Sequence, residues 1–348
     1  MKLTRCSIVL LALSAALPAA WQDAPAPRDA PPTAALLDAL GRFGRAGPFS
    51  AAARLEEWHD ARRQRDLPVK LWFPRDDAAV DCPVVLFSHG LGGTREHYAY
   101  FGHHLASHGY VVVHLQHPGS DDTAWRGQPQ PLVSMRRASA DPANLLGRPA
   151  DVSFAIDQLE RLDADAEWPL RGRIDLAAIA VAGHSFGAYT ALCAAGRVLA
   201  PPIGRPLEVA DPRVRACIAL SSPANERDRS SGAYAAITVP CLHLTGTRDV
   251  SPIGETSAEL RRLPFEASLR ADRSLIVLTD AEHLAFSDAG AGLRARDPAH
   301  HPLILAASTA FLAATLREDE AAGAWLLEGD FTRALGRHGT FEHRAAAR

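Results

Sequence analysis

Short, continuous runs of apolar residues recur along most of this chain, with segments of helical spacing between them. Clear examples are VVLF at 84–87, YVVVHL at 110–115, AAIAVAG at 177–183 and SLIVL at 274–278. Strands that are apolar on every residue, rather than on alternate ones, are typical of parallel sheets covered on both faces. Since parallel strands need crossover helices, the alternation predicts one α/β domain with a mostly parallel central sheet and helices on both faces.

The same pattern predicts where the individual elements lie. Strands are predicted at Ala53–His59, Leu67–Pro74, Pro83–Ser88, Tyr110–Leu115, Leu176–Gly183, Val214–Leu220, Val239–Leu244 and Ser274–Leu278. Helices are predicted at Glu96–His108, Pro149–Asp163, Phe186–Arg197, Pro252–Arg262 and Pro302–Arg317. Apolar residues after Arg317 predict a further docked helix in the tail.

The N-terminal residues are predicted to lie outside the folded domain. Lys2 and Arg5 precede an apolar run from Cys6 to Leu17, which is typical of a secretory signal peptide over residues 1–20. About a dozen apolar residues are too few to span a bilayer. Residues 21–33, rich in Pro and Ala, predict a tether, and 34–348 the α/β domain with a C-terminal helical tail. A buried or disordered N-terminal helix is the alternative for the first segment.

Composition argues against several partners and cofactors. The formal net charge of −3 offers no basic excess for nucleic acid. Four cysteines remain after signal removal, Cys82, Cys193, Cys217 and Cys241. Their spacings match no zinc pattern, and both buried thiols and disulfides stay open. His104 and His108 lie four apart on a predicted helix, but the Glu of an H-E-x-x-H motif is absent, so we predict no metal and no cofactor.

A serine stands between two glycines in VAGHSFGAY at 181–189, at the predicted junction of a strand and a helix. A sharp turn there would strain the serine backbone and bring neighbouring backbone segments close together. Gly183 and Gly187 would relieve this crowding because they have no Cβ. Such a turn exposes the serine hydroxyl at the end of the strand. Ser185 is therefore a candidate nucleophile.

The other parts of a serine hydrolase follow further strands. Asp249 and His283 come after the predicted strands ending at Leu244 and Leu278, and the order Ser185, Asp249, His283 is that of the α/β-hydrolase arrangement. His283 would take the serine proton, while Asp249 would orient the imidazole. The glycine-rich turn at 89–93 would offer backbone N–H groups to an oxyanion. Leu91 and Phe186 are the predicted donors.

Residues 117–147 connect a predicted strand to a helix with little periodic pattern. A connection this long in a compact domain is more often functional than idle. We expect it to lie over the site, where Trp125, Leu132 and Met135 would contact an acyl or alcohol group. A disordered insertion is the alternative, favoured by its Pro, Gly and Ser content.

Three motifs resemble those of platelet-activating-factor acetylhydrolases and of bacterial dienelactone-hydrolase-like esterases. They are FSHGLGG at 87–93, GHSFGA at 183–188 and HLAFSD at 283–288, and the resemblance spans roughly residues 54–316. It implies an α/β-hydrolase fold and an esterase with Ser185 and His283 in its site and Leu91 and Phe186 as oxyanion donors. In the animal enzymes the acid follows the strand after the elbow helix. Here that strand ends in LSSP at 220–223 without a carboxylate, and Asp249 matches the commoner position in the wider superfamily.

These features predict an exported serine carboxylic-ester hydrolase that forms an acyl-enzyme on Ser185 and acts on short-chain esters. The expected partner is a small ester or lipid, with no nucleic acid. A lipid or polyester hydrolase, a peptidase on the same scaffold and a non-catalytic binding protein of the same fold stay open as alternatives.

Overall fold

A mixed sheet of ten strands forms the centre of the molecule in the computed structural model, counted over the residues that the structure describes, 22–23, 32–199, 205–251, 253, 256–288 and 296–347. Along the chain the strands are β1 (Gln22–Asp23), β2 (Ala51–Asp60), β3 (Arg65–Pro74), β4 (Cys82–Ser88), β5 (Val111–Leu115), β6 (Ile174–His184), β7 (Val214–Leu220), β8 (Cys241–Arg248), β9 (Arg273–Glu282) and β10 (Gly339–Arg344). Their order across the sheet is β1-β2-β3-β5-β4-β6-β7-β8-β9-β10. The strands from β5 to β9 in that order are parallel, and the remaining pairs are antiparallel.

Helices cover both faces of the sheet. They are α1 (Ala34–Gly44), α2 (Ala99–Ser107), α3 (Pro131–Ala140), α4 (Pro142–Asp163), α5 (Phe186–Ala194), α6 (Glu226–Ser230), α7 (Leu263–Ala267), α8 (His300–Leu316), α9 (Glu320–Leu327) and α10 (Asp330–Leu335). One core joins α1, α2, α8, α9 and α10 to one face of the sheet, and a second joins α4, α5 and α7 to the other. Neighbouring strand residues alternate between the two cores, since Val85 and Phe87 belong to the first and Val84 and Leu86 to the second. The prediction of a mostly parallel α/β sheet is confirmed.

The predicted elements differ from the structure at a few places. The segment Pro252–Arg262 was expected to be one helix, but its described part ends in a 3-10 turn at Leu260–Arg262. A helix starts only at Leu263, because Pro264 fits the first turn of α7 and fits poorly in a helix interior. The edge strand β10 escaped prediction because exposed charged residues interrupt its apolar pattern, as is common at sheet edges.

Residues 117–147 form an ordered, largely helical connection rather than a loop. They contain a 3-10 turn at Asp122–Ala124, all of α3 and the beginning of α4. The alternative of a disordered insertion does not fit these ordered elements. Helix α3 buries none of its residues, so it has no apolar periodicity that could reveal it.

The predictions for the N-terminal segments, the domain and the cysteines can be compared with the structure only where it describes the chain. The predicted signal peptide at 1–20 and most of the predicted tether at 21–33 lie outside the described residues, although Gln22–Asp23 pair with β2. Strands β2 to β10 and the ten helices of the described residues lie within residues 34–347. The four cysteines that the structure describes are buried and free. No helix among the described residues has both the length and the apolarity needed to cross a membrane.

Candidate active site

Ser185 lies at the junction of β6 and α5, in a backbone conformation that few side chains adopt. Its φ is 55° and its ψ is −119°. A Cβ added to Gly183 would lie 2.3 Å from the Gly187 carbonyl oxygen, and one added to Gly187 would lie 1.8 Å from the Ser88 carbonyl oxygen. Both flanking glycines are thus required, because the turn passes directly against its own chain and against the end of β4.

The structure brings the three predicted side chains together at the carboxyl ends of their strands. His283 Nε2 lies 2.9 Å from Ser185 Oγ. On the other side of the ring, His283 Nδ1 lies 2.9 Å from Asp249 Oδ1. The His283 side chain is 13% exposed and that of Asp249 is fully buried, so the chain of hydrogen bonds runs from a reachable hydroxyl into the interior. This arrangement can move a proton from serine to imidazole.

Asp249 is held by more groups than the sequence suggested. Its Oδ1 also accepts from Ser221 Oγ at 2.9 Å and lies 2.9 Å from Arg261 Nε, while its Oδ2 accepts from Thr245 Oγ1 at 2.9 Å. Burial alone would raise the pKa of the Asp249 carboxyl, but hydrogen bonding to His283 and the charge of Arg261 outweigh burial and lower it. Asp249 is therefore a carboxylate at neutral pH, able to orient His283.

The glycine-rich turn uses most of its own N–H groups. That of Gly90 donates to Tyr98 Oη at 3.2 Å, that of Gly92 to the Ser120 carbonyl at 2.8 Å, and that of Gly93 to the Gly90 carbonyl at 3.0 Å. In residues 90–93 these bonds leave the Leu91 N–H as the donor available to a ligand. The Phe186 N–H belongs to the first turn of α5, where no helical acceptor exists. The side chain of Leu91 packs against the small apolar cluster that contains Phe186, so the two residues that carry the predicted donors lie in the same region.

A fully buried arginine, Arg148 on α4, connects the two halves of this predicted oxyanion site. Its guanidinium donates to the His89 carbonyl, to Ser120 Oγ at 2.8 Å and to Thr190 Oγ1 at 2.8 Å. It also lies 4.6 Å over the Phe186 ring. Burial lowers the pKa of Arg148 to about 9. The sequence signal was an arginine four residues before Val152, on the apolar face of the helix.

Tyr98 and His184 connect the same turn to the base. Since the His283 carbonyl can only accept, His184 Nε2–H donates to it at 3.0 Å. His184 Nδ1 is then the acceptor for the Tyr98 hydroxyl at 2.9 Å. Burial lowers the pKa of His184 well below its ordinary value. His184 is thus a neutral residue that fixes the position of the His283 backbone.

A second Ser–His–Asp arrangement lies nearby and went unnoticed in the sequence. His117 Nδ1 is 2.9 Å from Asp151 Oδ2, and His117 Nε2 is 2.9 Å from Ser88 Oγ. Ser88 is only 1% exposed, and His117 is fully buried. A substrate has no access to this serine, so the three residues join β4, the end of β5 and α4 below the glycine-rich turn.

The predicted substrate contacts divide into two groups. The Trp125 indole N–H donates to the Gly92 carbonyl at 2.8 Å. A Cβ added to Gly92 would lie 2.7 Å from Trp125 Cδ1 and 3.0 Å from Met135 Cε, so both side chains contact the glycine-rich turn. Leu132 is 57% exposed on α3. Trp125 and Met135 thus border the predicted oxyanion site, whereas Leu132 faces solvent.

The histidines considered as zinc ligands bind backbone instead. His104 Nε2 lies 3.0 Å from the Phe43 carbonyl, and His108 Nε2 lies 2.9 Å from the Arg45 carbonyl, so both join α2 to the end of α1. Within the described part of the chain, no group of three or more His, Cys, Asp or Glu side chains is arranged to hold a metal ion.

Comparison with known proteins points to one family. The family model for platelet-activating factor acetylhydrolase, isoform II, matches residues 73–127. Platelet-activating factor acetylhydrolase from Canis lupus familiaris is 26% identical over 234 residues, which cover 59% of this chain and 48% of the dog protein. The proteins of the same name from Bos taurus and Cavia porcellus are each 28% identical over 32% of this chain and 31% of their own length. The chain thus spans about half the length of the dog protein.

The sheet order, the turn at Ser185 and these matches agree with the resemblance found in the motifs. The chain has the α/β-hydrolase fold and resembles the platelet-activating factor acetylhydrolases.

Proposed function

We propose that this chain is an exported serine esterase that hydrolyses short-chain carboxylic esters without a cofactor. The observation that carries the proposal is the continuous hydrogen-bonded chain from Ser185 Oγ through His283 to Asp249, with 2.9 Å at each step. The strained backbone of Ser185 adds support, since such strain persists where it has a use. The names of the relatives, which denote an acetylhydrolase, agree with ester hydrolysis.

Acylation uses the groups already in hydrogen-bonding contact. His283 Nε2 takes the hydroxyl proton as Ser185 Oγ attacks the ester carbonyl carbon. The carbonyl oxygen becomes an oxyanion, which the N–H groups of Leu91 and Phe186 stabilise. Collapse of this intermediate breaks the bond to the alcohol, which leaves with the proton from His283. The acyl group stays on Ser185.

Deacylation repeats these steps with water as the nucleophile. His283 removes a proton from water as the water attacks the acyl carbon, and the same donors hold the second oxyanion. The acid leaves, and the proton returns to Ser185. Asp249 stays ionised throughout and stabilises the imidazolium.

The preference for short acyl chains rests on the residues that border the oxyanion site. Trp125 and Met135 contact the turn that carries Leu91, and therefore limit the space beside the reacting carbonyl. Each methylene in an apolar pocket changes discrimination by about 1–3 kcal/mol. A long-chain optimum would instead favour the lipid or polyester hydrolase, and cleavage of amides the peptidase.

The deciding experiment replaces Ser185. Ser185→Ala is expected to lower the turnover of 4-nitrophenyl acetate by about a million-fold, as seen for a comparable serine. The matched control is Ser88→Ala, which removes the serine of the buried arrangement. It is expected to keep turnover within about tenfold, the effect of one hydrogen bond.

Near-normal turnover by folded Ser185→Ala would refute the serine mechanism. Absence of turnover in the wild type across a graded ester series would favour the non-catalytic binding protein. Export is tested separately, by locating the mature N-terminus of protein made with residues 1–20 present. The pattern of Lys2, Arg5 and the following apolar run supports cleavage there.

A further inference from the structure

We propose that Ser221 is a positioning residue, which shares the Nδ1 proton of His283 with Asp249. The inference rests on the proposed function, because it concerns the base of that reaction. Ser221 is the first residue after β7, whereas Asp249 follows β8. Two neighbouring strands would then hold the same side of the imidazole.

Three atoms form a triangle in which every side has the length of a hydrogen bond. Ser221 Oγ lies 2.8 Å from His283 Nδ1 and 2.9 Å from Asp249 Oδ1. The third side, between His283 Nδ1 and Asp249 Oδ1, is 2.9 Å. Ser221 is fully buried, so bulk water does not take the place of its hydroxyl.

Counting protons fixes the direction of these bonds. The hydroxyl has one hydrogen, and a carboxylate is a stronger acceptor than a neutral imidazole nitrogen, so Ser221 O–H donates to Asp249. The lone pairs of Ser221 Oγ then face His283 Nδ1, as does Asp249 Oδ1. Nδ1 therefore carries a hydrogen that both oxygens accept. Nε2 is left with the lone pair that faces Ser185, which is the tautomer a general base needs.

The backbone holds Ser221 firmly in this place. Its φ is 52°, a left-handed conformation that favours glycine. Its N–H donates to the Leu244 carbonyl at 2.6 Å, and its carbonyl accepts from Arg261 Nη1 at 2.8 Å. Arg261 Nε also donates to the Asp249 carbonyl at 2.8 Å. One buried guanidinium thus fixes Ser221 relative to the acid.

The test is a double-mutant cycle on the full chain, with kcat and KM for 4-nitrophenyl acetate as readouts. Ser221→Ala is expected to lower kcat about tenfold at nearly constant KM, the effect of one hydrogen bond. Asp249→Asn is expected to lower kcat about ten-thousand-fold through the wrong tautomer. The double variant should lose no more than Asp249→Asn, to within about threefold, since both substitutions act on one imidazole.

Two further variants separate positioning from a purely structural role. Ser221→Gly relieves the left-handed backbone yet also lacks the hydroxyl, so it should match Ser221→Ala in kcat. Ser222→Ala is the neighbouring control. Within the described residues, the Ser222 hydroxyl donates only to the Pro223 carbonyl, at 3.4 Å. It should turn over like the wild type.

Wild-type kcat in either Ser221 variant would overturn the inference, as would losses in kcat that multiply in the double variant. The proposed mechanism would still hold in both cases, provided that Ser185→Ala is inactive. If Ser185→Ala keeps its activity, the proposed function fails first.

Discussion

Ser185 combines reactivity and strain in a single residue. Its φ of 55° with ψ of −119° lies in a region that is nearly restricted to glycine. This conformation is what directs Oγ to His283 Nε2, at 2.9 Å. Backbone strain of this kind is worth about 1–3 kcal/mol, so the protein is expected to be less stable than the same fold with glycine here.

Ser185→Gly is therefore expected to raise the free energy of unfolding by about 1 kcal/mol relative to Ser185→Ala, while both variants are inactive. The two variants lack the same hydroxyl and differ only in the Cβ, which makes Ser185→Ala the matched control. Urea denaturation followed by circular dichroism measures the difference. Equal stability of the two variants would show that the turn stores no strain in this residue.

The residues of the candidate site differed in how far the sequence could predict them. Ser185, Asp249 and His283 each follow a predicted strand, so the parallel sheet alone places them at one edge. Ser221 and Arg261 lie in no motif. Ser221 meets His283 across a separation of 62 residues, and its contact depends on a left-handed backbone that no local pattern reveals. Buried hydrogen-bond and charge networks of this kind are formed by residues far apart in the sequence, so sequence periodicity does not predict them.

At the scale of elements, the segment from β5 to α4 is the feature that shapes the candidate site. It was predicted to lie over the site as a loop, but it is largely helical, and α3 leaves no residue buried. Two of its residues bond the glycine-rich turn at Gly92, since the Trp125 indole N–H donates to the Gly92 carbonyl at 2.8 Å and the Ser120 carbonyl accepts from the Gly92 N–H at 2.8 Å. Gly92 has no Cβ, and an added one would lie 2.7 Å from Trp125 Cδ1, so the ring can lie directly against the turn.

Trp125→Ala is expected to shift the acyl-chain optimum to longer esters by about two carbons, with a smaller change in the largest kcat, because the space beside the turn grows. Trp125→Phe keeps most of the ring but lacks the indole N–H. It should keep the wild-type profile if ring volume sets the preference. Specificity constants for 4-nitrophenyl esters from acetate to octanoate provide the measurement, and a profile unmoved by Trp125→Ala would contradict the assignment of Trp125 to the substrate boundary.

For the whole molecule, the parallel sheet could be predicted because both of its faces are buried. Each of the predicted strands overlaps one of the strands from β2 to β9. The edges were harder, since β1 is two residues long and β10 carries exposed charges. The family match at 73–127 includes the glycine-rich turn but none of Ser185, Asp249 and His283. The roles of these three residues therefore rest on the geometry and need the mutational tests.

The two-sided core also encloses histidines outside the candidate triad. Burial lowers the pKa of His104, His114 and His117 to about 3. His89 and His184 are also lowered well below the ordinary value by burial. In the unfolded chain these histidines have the ordinary pKa of about 6.5, so they are protonated below that pH. In the folded protein the same rings stay neutral there.

This difference predicts that stability falls as pH decreases below about 6.5. Between about pH 6.5 and 3 the unfolded state binds more protons than the folded state, so acid favours unfolding, and each such histidine contributes up to about 1.4 kcal/mol per pH unit. Urea denaturation at pH 7.5, 6.0 and 5.0 should therefore show a steep loss. The His114 imidazole lies 5.1 Å from the Phe87 ring, and in His114→Phe a phenyl ring would take its place. The dependence of the free energy of unfolding on pH should then become weaker by the contribution of one histidine. Stability that is constant from pH 7.5 to 5.0, or a slope unchanged in His114→Phe, would mean that these rings accept protons without unfolding.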